Sequence, residues 1–318
     1  MKDRGNIERL RTVFMGTPEF AVPVLKALLD AGLDVAGVYT QSDKPAGRGH
    51  KTEAPPVKRL AVEWGLPVYQ PSTLRTPEAQ QELAALRPDV IVVAAYGKLL
   101  PPETLNIPPL GCLNIHPSLL PRYRGPSPVA SAILVGDTVT GVTVMKLDEG
   151  MDTGPLLAQR ETAIGPEETA DALTHRLFEM GVALLVEALP AVARGEAAFT
   201  PQDEANATIT KKLTKEDGLI DWTKPASLIA RQVRAFHPWP GSYTTWHDKQ
   251  LKVMEAASRT GEGGKAGEVL ALSGDGLEVA TDDGVLFVRR LQEEGRKAVS
   301  AREFAAGHPD IVGVVLGS

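Results

Sequence analysis

Asn114 and His116 stand two residues apart at the end of an apolar run, Cys112-Leu113-Asn114-Ile115-His116, with Pro117 next. On an extended strand, side chains two apart share a face, so an amide and an imidazole would project side by side from the strand end. Pro117 and Pro121 fix φ and remove two N–H groups, which stiffens the loop Ser118-Leu119-Leu120-Pro121. A second polar turn, Asp148-Glu149-Gly150-Met151-Asp152-Thr153-Gly154, can bring a carboxylate to the same place. Three chemistries compete for Asn114, His116 and Asp152. A cation held by His116, Asp148 and Asp152 lacks the paired histidine spacing of a metal site, so no metal is expected. A nucleophile at Ser118 lacks the G-x-S-x-G elbow. Acyl transfer without a covalent intermediate remains. An amine attacking a carbonyl carbon leaves negative charge on oxygen and an acidic nitrogen; an amide and an imidazolium meet the first, a carboxylate the second. The bland alternative is that these polar residues merely close strand ends.

The elements around them must be those of a folded protein. Of 318 residues, 43% are hydrophobic and 23% charged, the proportions of a soluble globular chain of one large or two ordinary domains. Cys112 is the sole cysteine, which excludes an internal disulfide and a cysteine-rich zinc site and suits a reducing cytoplasm. On an apolar strand it reads as a small core residue rather than a nucleophile. The polar stretch Met1–Arg11 does not read as a signal peptide, and no apolar run reaches the ~20 residues of a membrane span. The net charge of −6 argues against a protein that coats nucleic acid without specificity.

Along the chain, Thr12–Met15 predicts a strand, Pro23 fits the first turn of a helix that runs to about Ala31, and Val35–Thr40 predicts a second strand. This β-α-β opening favours a parallel sheet. Gly16 alone is no dinucleotide fingerprint. Helices are predicted over 57–64, 77–86 and 128–134, and strands over 67–69, 111–115 and 141–146. Val90–Ala94, the most β-branched run, reads as a central strand. Leu156–Ala163 reads as an edge strand, and a long helix runs from Thr169 until Pro190 stops it. His175 lies on that helix's surface. Ligand crevices in such sheets lie at the carboxyl ends of the strands, where Tyr96-Gly97 and Asn114-His116 fall.

Gln41–Pro56 is a long polar connection without predicted structure. From Gln41 to Arg59 it carries Lys44, Arg48, Lys51, Lys58 and Arg59 against Asp43 and Glu53, basic in an acidic chain. It is either a solvated loop or an arm for phosphates. Residues 197–212 keep no apolar period and read as a connection. Five short β-type runs follow a helix at 225–235 and suggest a small OB-like β-barrel. Thirteen basic and fifteen acidic residues from Lys215 onward leave room for no more than a local nucleic-acid patch; Lys211, Lys212, Arg231 and Arg234 are either that patch or ordinary solvated charge. The expected fold is therefore α/β: a Rossmann-like, open, mostly parallel sheet over residues 1–195, a linker at 196–214 and the barrel at 215–318.

The sequence resembles the folate-dependent formyltransferases. Asn114-x-His116, Ser118-Leu119-Leu120-Pro121 and Asp152-Thr153-Gly154 stand in that family's order and approximate spacing. The resemblance implies 10-formyltetrahydrofolate as formyl donor, lying against Ser118, Leu119, Leu120 and Pro121. It implies Asn114 and His116 as oxyanion and formyl-positioning groups, and Asp152 as the residue that tunes His116 and handles the proton. Val13–Phe20, Gln41–Gly49 and Arg234–Pro240 extend the likeness over nearly the whole chain, to members whose acceptor is the initiator methionyl-tRNA. There the basic loop meets the acceptor end, which implies tRNA contacts at Arg48, Lys44 and Lys51, while the barrel holds the RNA from the side. Lys44 stands where many relatives have Arg, and meets phosphate as a point charge without the bidentate fork. Pro117 stands where Gly is frequent. A cytoplasmic monomer is expected, with no membrane partner. The rivals are formyl transfer to a small amine, glycinamide ribonucleotide or an amino-sugar nucleotide, and an RNA-binding protein without catalysis.

Overall fold

The computed structural model describes residues 10–46, 51–261 and 263–317. These fall into two compact units. One takes the chain up to Gly125 with Val139–Ala163 and Thr174–Ile209; the other takes Pro126–Thr138, Ile164–Leu173 and Thr210 onward.

In chain order the elements are β1 (Arg11–Gly16), α1 (Val22–Asp30), β2 (Asp34–Tyr39), β3 (Lys44–Ala46), β4 (Lys51–Glu53), α2 (Pro56–Glu63) and β5 (Val68–Tyr69). Then come α3 (Pro77–Ala85), β6 (Val90–Ala94), α4 (Pro102–Leu105), β7 (Cys112–His116), α5 (Pro128–Val135), β8 (Val139–Lys146), β9 (Leu156–Ala163) and α6 (Ala170–Ala193). The first unit's sheet has the order β5-β2-β1-β6-β7-β8-β9. From β5 to β7 all pairings are parallel; β8 and β9 run antiparallel. The strand Val90–Ala94 is the middle one of seven, with every residue buried, as a run of β-branched side chains covered on both faces must be. The strand Leu156–Ala163 is at the edge, with its alternate residues exposed. The order departs in opposite directions from β1 and β6, so the fold's switch point lies at Gly16-Thr17 and Ala95-Tyr96-Gly97.

Pro190 does not stop α6, which continues to Ala193. Proline lacks only its own N–H, and Leu185, Leu189 and Val192 are buried on either side, so tertiary packing outweighs one lost bond. Gln41–Pro56 is not wholly irregular either. Lys44–Ala46 and Lys51–Glu53 pair antiparallel, Lys44 opposite Glu53 and Ala46 opposite Lys51.

The second unit continues with α7 (Ala226–Ala235), β10 (Ser242–Trp246), β11 (Lys249–Arg259), β12 (Val269–Ser273), β13 (Gly276–Ala280), β14 (Val285–Glu293), β15 (Val299–Ser300) and α8 (Ala301–Gly307). Its antiparallel order is β10-β11-β14-β13-β12, with β15 against β14. Trp222, Trp246, Val269, Leu286, Val288 and Phe304 lie at its core. The five predicted β runs are these five long strands. The helix α8 escaped sequence reading although its start carries a capping box, Ser300 with Glu303.

Candidate active site

The strand β7 places the amide and imidazole through its register. Asn114 lies between Val93 and Met145, and His116 opposite Thr143. The intervening Ile115 points the other way, onto α6, where a Cβ on Gly181 would come within 2.5 Å of the Ile115 Cγ2. Asn114, His116 and Cys112 thus share the face away from α6. Cys112 is fully buried beneath them, and burial pushes its thiol up to about 12, which suits packing and not attack. The Asn114 side chain is half-buried and makes no hydrogen bond to any described residue. A half-buried amide left open at a strand end is a donor waiting for a ligand oxygen.

His116 is held on both sides. Its Nε2 lies 2.9 Å from the Tyr123 carbonyl oxygen. A carbonyl only accepts, so Nε2 carries the proton. Its Nδ1 lies 3.6 Å from Asp152 Oδ2, an ion-pair separation when the ring is charged. The same Oδ2 accepts the Gly125 N–H at 2.8 Å, while Oδ1 has no partner among the described residues. The chain reaches this geometry through left-handed backbone at Tyr123 (φ 60°), Gly125 (φ 102°) and Asp152 (φ 55°). Two of the three are not glycine, so the surrounding bonds must outweigh local strain.

The Ser118–Pro121 loop is braced from below. Ser118 Oγ donates to the Arg122 carbonyl at 2.7 Å, and Thr143 Oγ1 donates to the Ser118 carbonyl at 2.6 Å. Gln159 Nε2 donates to the Leu120 carbonyl at 2.8 Å. Ser118 and Leu120 are buried, Leu119 and Pro121 half-buried, and Leu119 lies over Gly141, where a Cβ would meet it at 2.5 Å. What this loop offers a ligand is therefore its backbone and its half-buried apolar edges. At the switch point, Thr17 Oγ1 donates to the Tyr96 carbonyl at 3.1 Å, and Gln41 Nε2 to the same oxygen at 3.2 Å. The Tyr96 hydroxyl is buried without a partner among the described residues, and burial pushes it up to about 12.

Residues that sequence reading missed lie in the segment with no apolar period. Gln202 Nε2 donates to the Asp152 and Gly154 carbonyls, each at 2.8 Å. Arg124 is 5% exposed and forks onto Glu204 at 2.9 and 2.7 Å, while its Nε donates to Gln202 Oε1 at 3.0 Å. Thr208 accepts the Tyr123 N–H at 2.7 Å through Oγ1 and the Arg124 N–H at 2.8 Å through its carbonyl. The segment is stitched to both loops of the site. Hydrogen bonds between exposed polar residues leave no period to read.

Of the basic residues near the arm, Lys58 and Arg59 are already engaged. Lys58 binds Asp43 at 2.8 Å and Gln70 at 2.9 Å, and holds the Asp43 carboxyl below the ordinary carboxylate range, with help from Gln70. Arg59 pairs with Glu53 at 3.1 Å. Lys44 is exposed; Arg48 and the Lys51 side chain lie outside the described residues. In the second unit the expected basic patch is largely committed: Lys211 pairs with Asp217, Arg231 Nε donates to the Leu134 carbonyl at 3.1 Å, and Arg234 to the Glu168 carbonyl at 3.0 Å.

The formyl transferase family matches residues 10–189, and the formyl transferase C-terminal domain matches residues 212–309. A methionyl-tRNA formyltransferase from Chloroflexus aggregans is 51% identical over 300 residues, 94% of this chain and 97% of that protein. One from Marinobacter nauticus is 47% identical over 304 residues, 95% and 98% of the two chains. HypX from Aquifex aeolicus, solved with tetrahydrofolic acid, shares the fold over 95% of this chain and 48% of its own, at a TM-score of 0.66 and 22% identity. With both of the family's domains matched in order along one chain, this protein belongs to the formyl transferase family, beside its methionyl-tRNA formyltransferases.

Proposed function

We propose that the protein transfers a formyl group from 10-formyltetrahydrofolate to the α-amino group of initiator methionyl-tRNA. The open Asn114 amide beside the His116–Asp152 pair carries the chemical half of this reading. Near-full-length likeness to methionyl-tRNA formyltransferases carries the acceptor. The donor is a substrate that supplies the formyl carbon. The amide, without a partner among the described residues, offers an N–H that suits a carbonyl oxygen, and the braced Ser118–Pro121 loop offers half-buried edges that suit a flat ring system.

In this reading Asn114 donates to the carbonyl oxygen as negative charge gathers there; one such donor is worth ~3–4 kcal/mol of barrier. Asp152 takes the proton lost by the attacking nitrogen at Oδ1, the oxygen that neither Gly125 nor His116 occupies, and as the adduct collapses the formyl C–N10 bond breaks and that proton passes to N10 of the departing tetrahydrofolate. His116 spends Nε2 on the Tyr123 carbonyl, so only the doubly protonated ring can pair through Nδ1–H with Asp152 Oδ2 and lend positive charge to the oxyanion site. Holding both substrates at the strand ends adds proximity, up to the ~7–11 kcal/mol of well-oriented reactions. The arm at 41–56 meets the RNA through Lys44, Arg48 and Lys51, residues 1–195 form the catalytic domain, 196–214 join it to an RNA-holding domain at 215–318, and the enzyme works as a cytoplasmic monomer. Among the described residues no helix is long and apolar enough to cross a membrane.

The test is transfer of labelled formyl from 10-formyltetrahydrofolate to charged initiator tRNA, with glycinamide ribonucleotide and an amino-sugar nucleotide as parallel acceptors. Label on the tRNA alone is expected. Label on a small amine alone would keep the site chemistry and overturn the acceptor.

A further inference from the structure

Nothing in the reaction itself requires the segment 200–209, yet it is bonded to every loop that forms the His116–Asp152 pair. Thr200 and Leu156 exchange backbone hydrogen bonds at 2.9 and 2.8 Å, which anchors the segment beside the start of β9. Gln202 then crosses the turn and takes the carbonyls of Asp152 and Gly154. Its amide cannot be reversed. Oε1 accepts from Arg124 Nε, so Nε2 must face the two carbonyls, each of which can only accept. Arg124 is itself fixed by the fork onto Glu204 and by its N–H on Thr208. Arg124 and Asp152 therefore hang from one side chain.

Between them lies Gly125, whose N–H reaches Asp152 Oδ2 at 2.8 Å. Both ends of this bond are set from the same segment: Gly125 through its neighbour Arg124, and Asp152 through its own carbonyl. Asp152 needs such support, because φ 55° is a conformation that a residue with a Cβ holds only under constraint. Tyr123, whose carbonyl fixes His116 Nε2, is also pinned, by Thr208 Oγ1 at 2.7 Å.

We propose that Gln202 is a positioning residue for the transfer reaction: through its two carbonyl contacts and its link to Arg124, it sets the direction in which Asp152 presents its free oxygen. The inference rests on the reading of Asn114, His116 and Asp152 as the reacting set. Gln202 touches no substrate; Arg124, neutralised by Glu204, acts as a strut.

Gln202→Glu keeps the size and the acceptor for Arg124 but replaces the donor with an oxygen facing two carbonyls. It is expected to lower kcat for formyl transfer about 10–100-fold, the range for partners that orient reacting groups, with KM for both substrates within about threefold. Lowering the pH should narrow the gap to the wild type, since a protonated carboxyl donates again. Gln202→Met, without charge, should lose a similar factor at every pH. The substrate-free measurement is hydrogen exchange of the Gly125 amide, expected about tenfold faster in both variants. An unchanged kcat, a loss confined to KM, or unchanged Gly125 exchange would each overturn the proposal. Wild-type enzyme that formylates none of the acceptors would overturn the parent reading, while Gly125 exchange would still decide the role of Gln202.

Discussion

The two large sheets of this molecule put their polar groups to different use. In the parallel sheet, β6 is buried throughout and polar side chains gather where the strands end, at Thr17, Gln41, Asn114 and His116. In the antiparallel sheet, chain direction reverses at each turn, so both rims carry turns and alternation along a strand decides what is inside. There Ser242, Thr244 and Trp246 point inward along β10, and Thr244 Oγ1 is used up by Trp222 Nε1 at 3.1 Å. Ser242 Oγ and Trp246 Nε1 have no partner among the described residues, but both are buried in the core, where no ligand reaches them. The difference teaches where chemistry can be sought: the parallel sheet concentrates loop ends on one rim, and one of those ends carries an amide that folding has left open.

That contrast makes the two units respond differently to mutation. Phe304, 2% exposed and edge-on to Trp246 at 5.3 Å, belongs to the antiparallel core. Phe304→Ala should cost about 3–5 kcal/mol of stability in denaturant unfolding of that unit. Asn114→Ala should do the opposite, lowering kcat by ~10²–10³ (about 2.7–4 kcal/mol) with a melting temperature close to wild type, because no hydrogen bond is lost. A large fall in melting temperature would show that the amide is structural and would erase the contrast.

A smaller effect tests how β7 is backed. Gly181→Ala on α6 puts a Cβ 2.5 Å from Ile115 Cγ2 and 3.0 Å from Val142 Cγ2. Overpacking of this kind costs about 1–3 kcal/mol, partly offset by the ~1 kcal/mol helix preference of Ala over Gly; thermal unfolding reads the net loss, and activity should fall with it as β7 shifts.

The smallest effect concerns pH at the root of the arm. Hydrogen bonds from Lys58 and Gln70 depress the Asp43 carboxyl, so the folded state keeps it charged to lower pH than the unfolded chain does. The stability from this contact is present above the unfolded value of ~3.9 and is lost as pH falls through the lower folded one. In Lys58→Gln, the NMR titration of Asp43 should move up toward the ordinary value, and an unmoved midpoint would show that Lys58 does not hold it.

Periodicity and punctuation alone determined much of this protein. They located the central strand at Val90, the strand carrying Asn114 and His116, the edge strand at Leu156 and the five long strands of the second unit, though not the short β15, because buried faces leave a repeat of two or a continuous apolar run. They also paired Asn114 with His116, since two residues on one strand share a face whatever surrounds them. Only tertiary structure decided the rest. Pro190 sits inside a helix because buried leucines flank it, and the arm is partly a hairpin although its residues carry no strand pattern. The carbonyl of Tyr123, the free oxygen of Asp152 and the grip of Gln202 depend on backbone atoms and left-handed turns brought together from residues about 80 positions apart. Such bonds join groups that every residue possesses, so composition and spacing carry no trace of them.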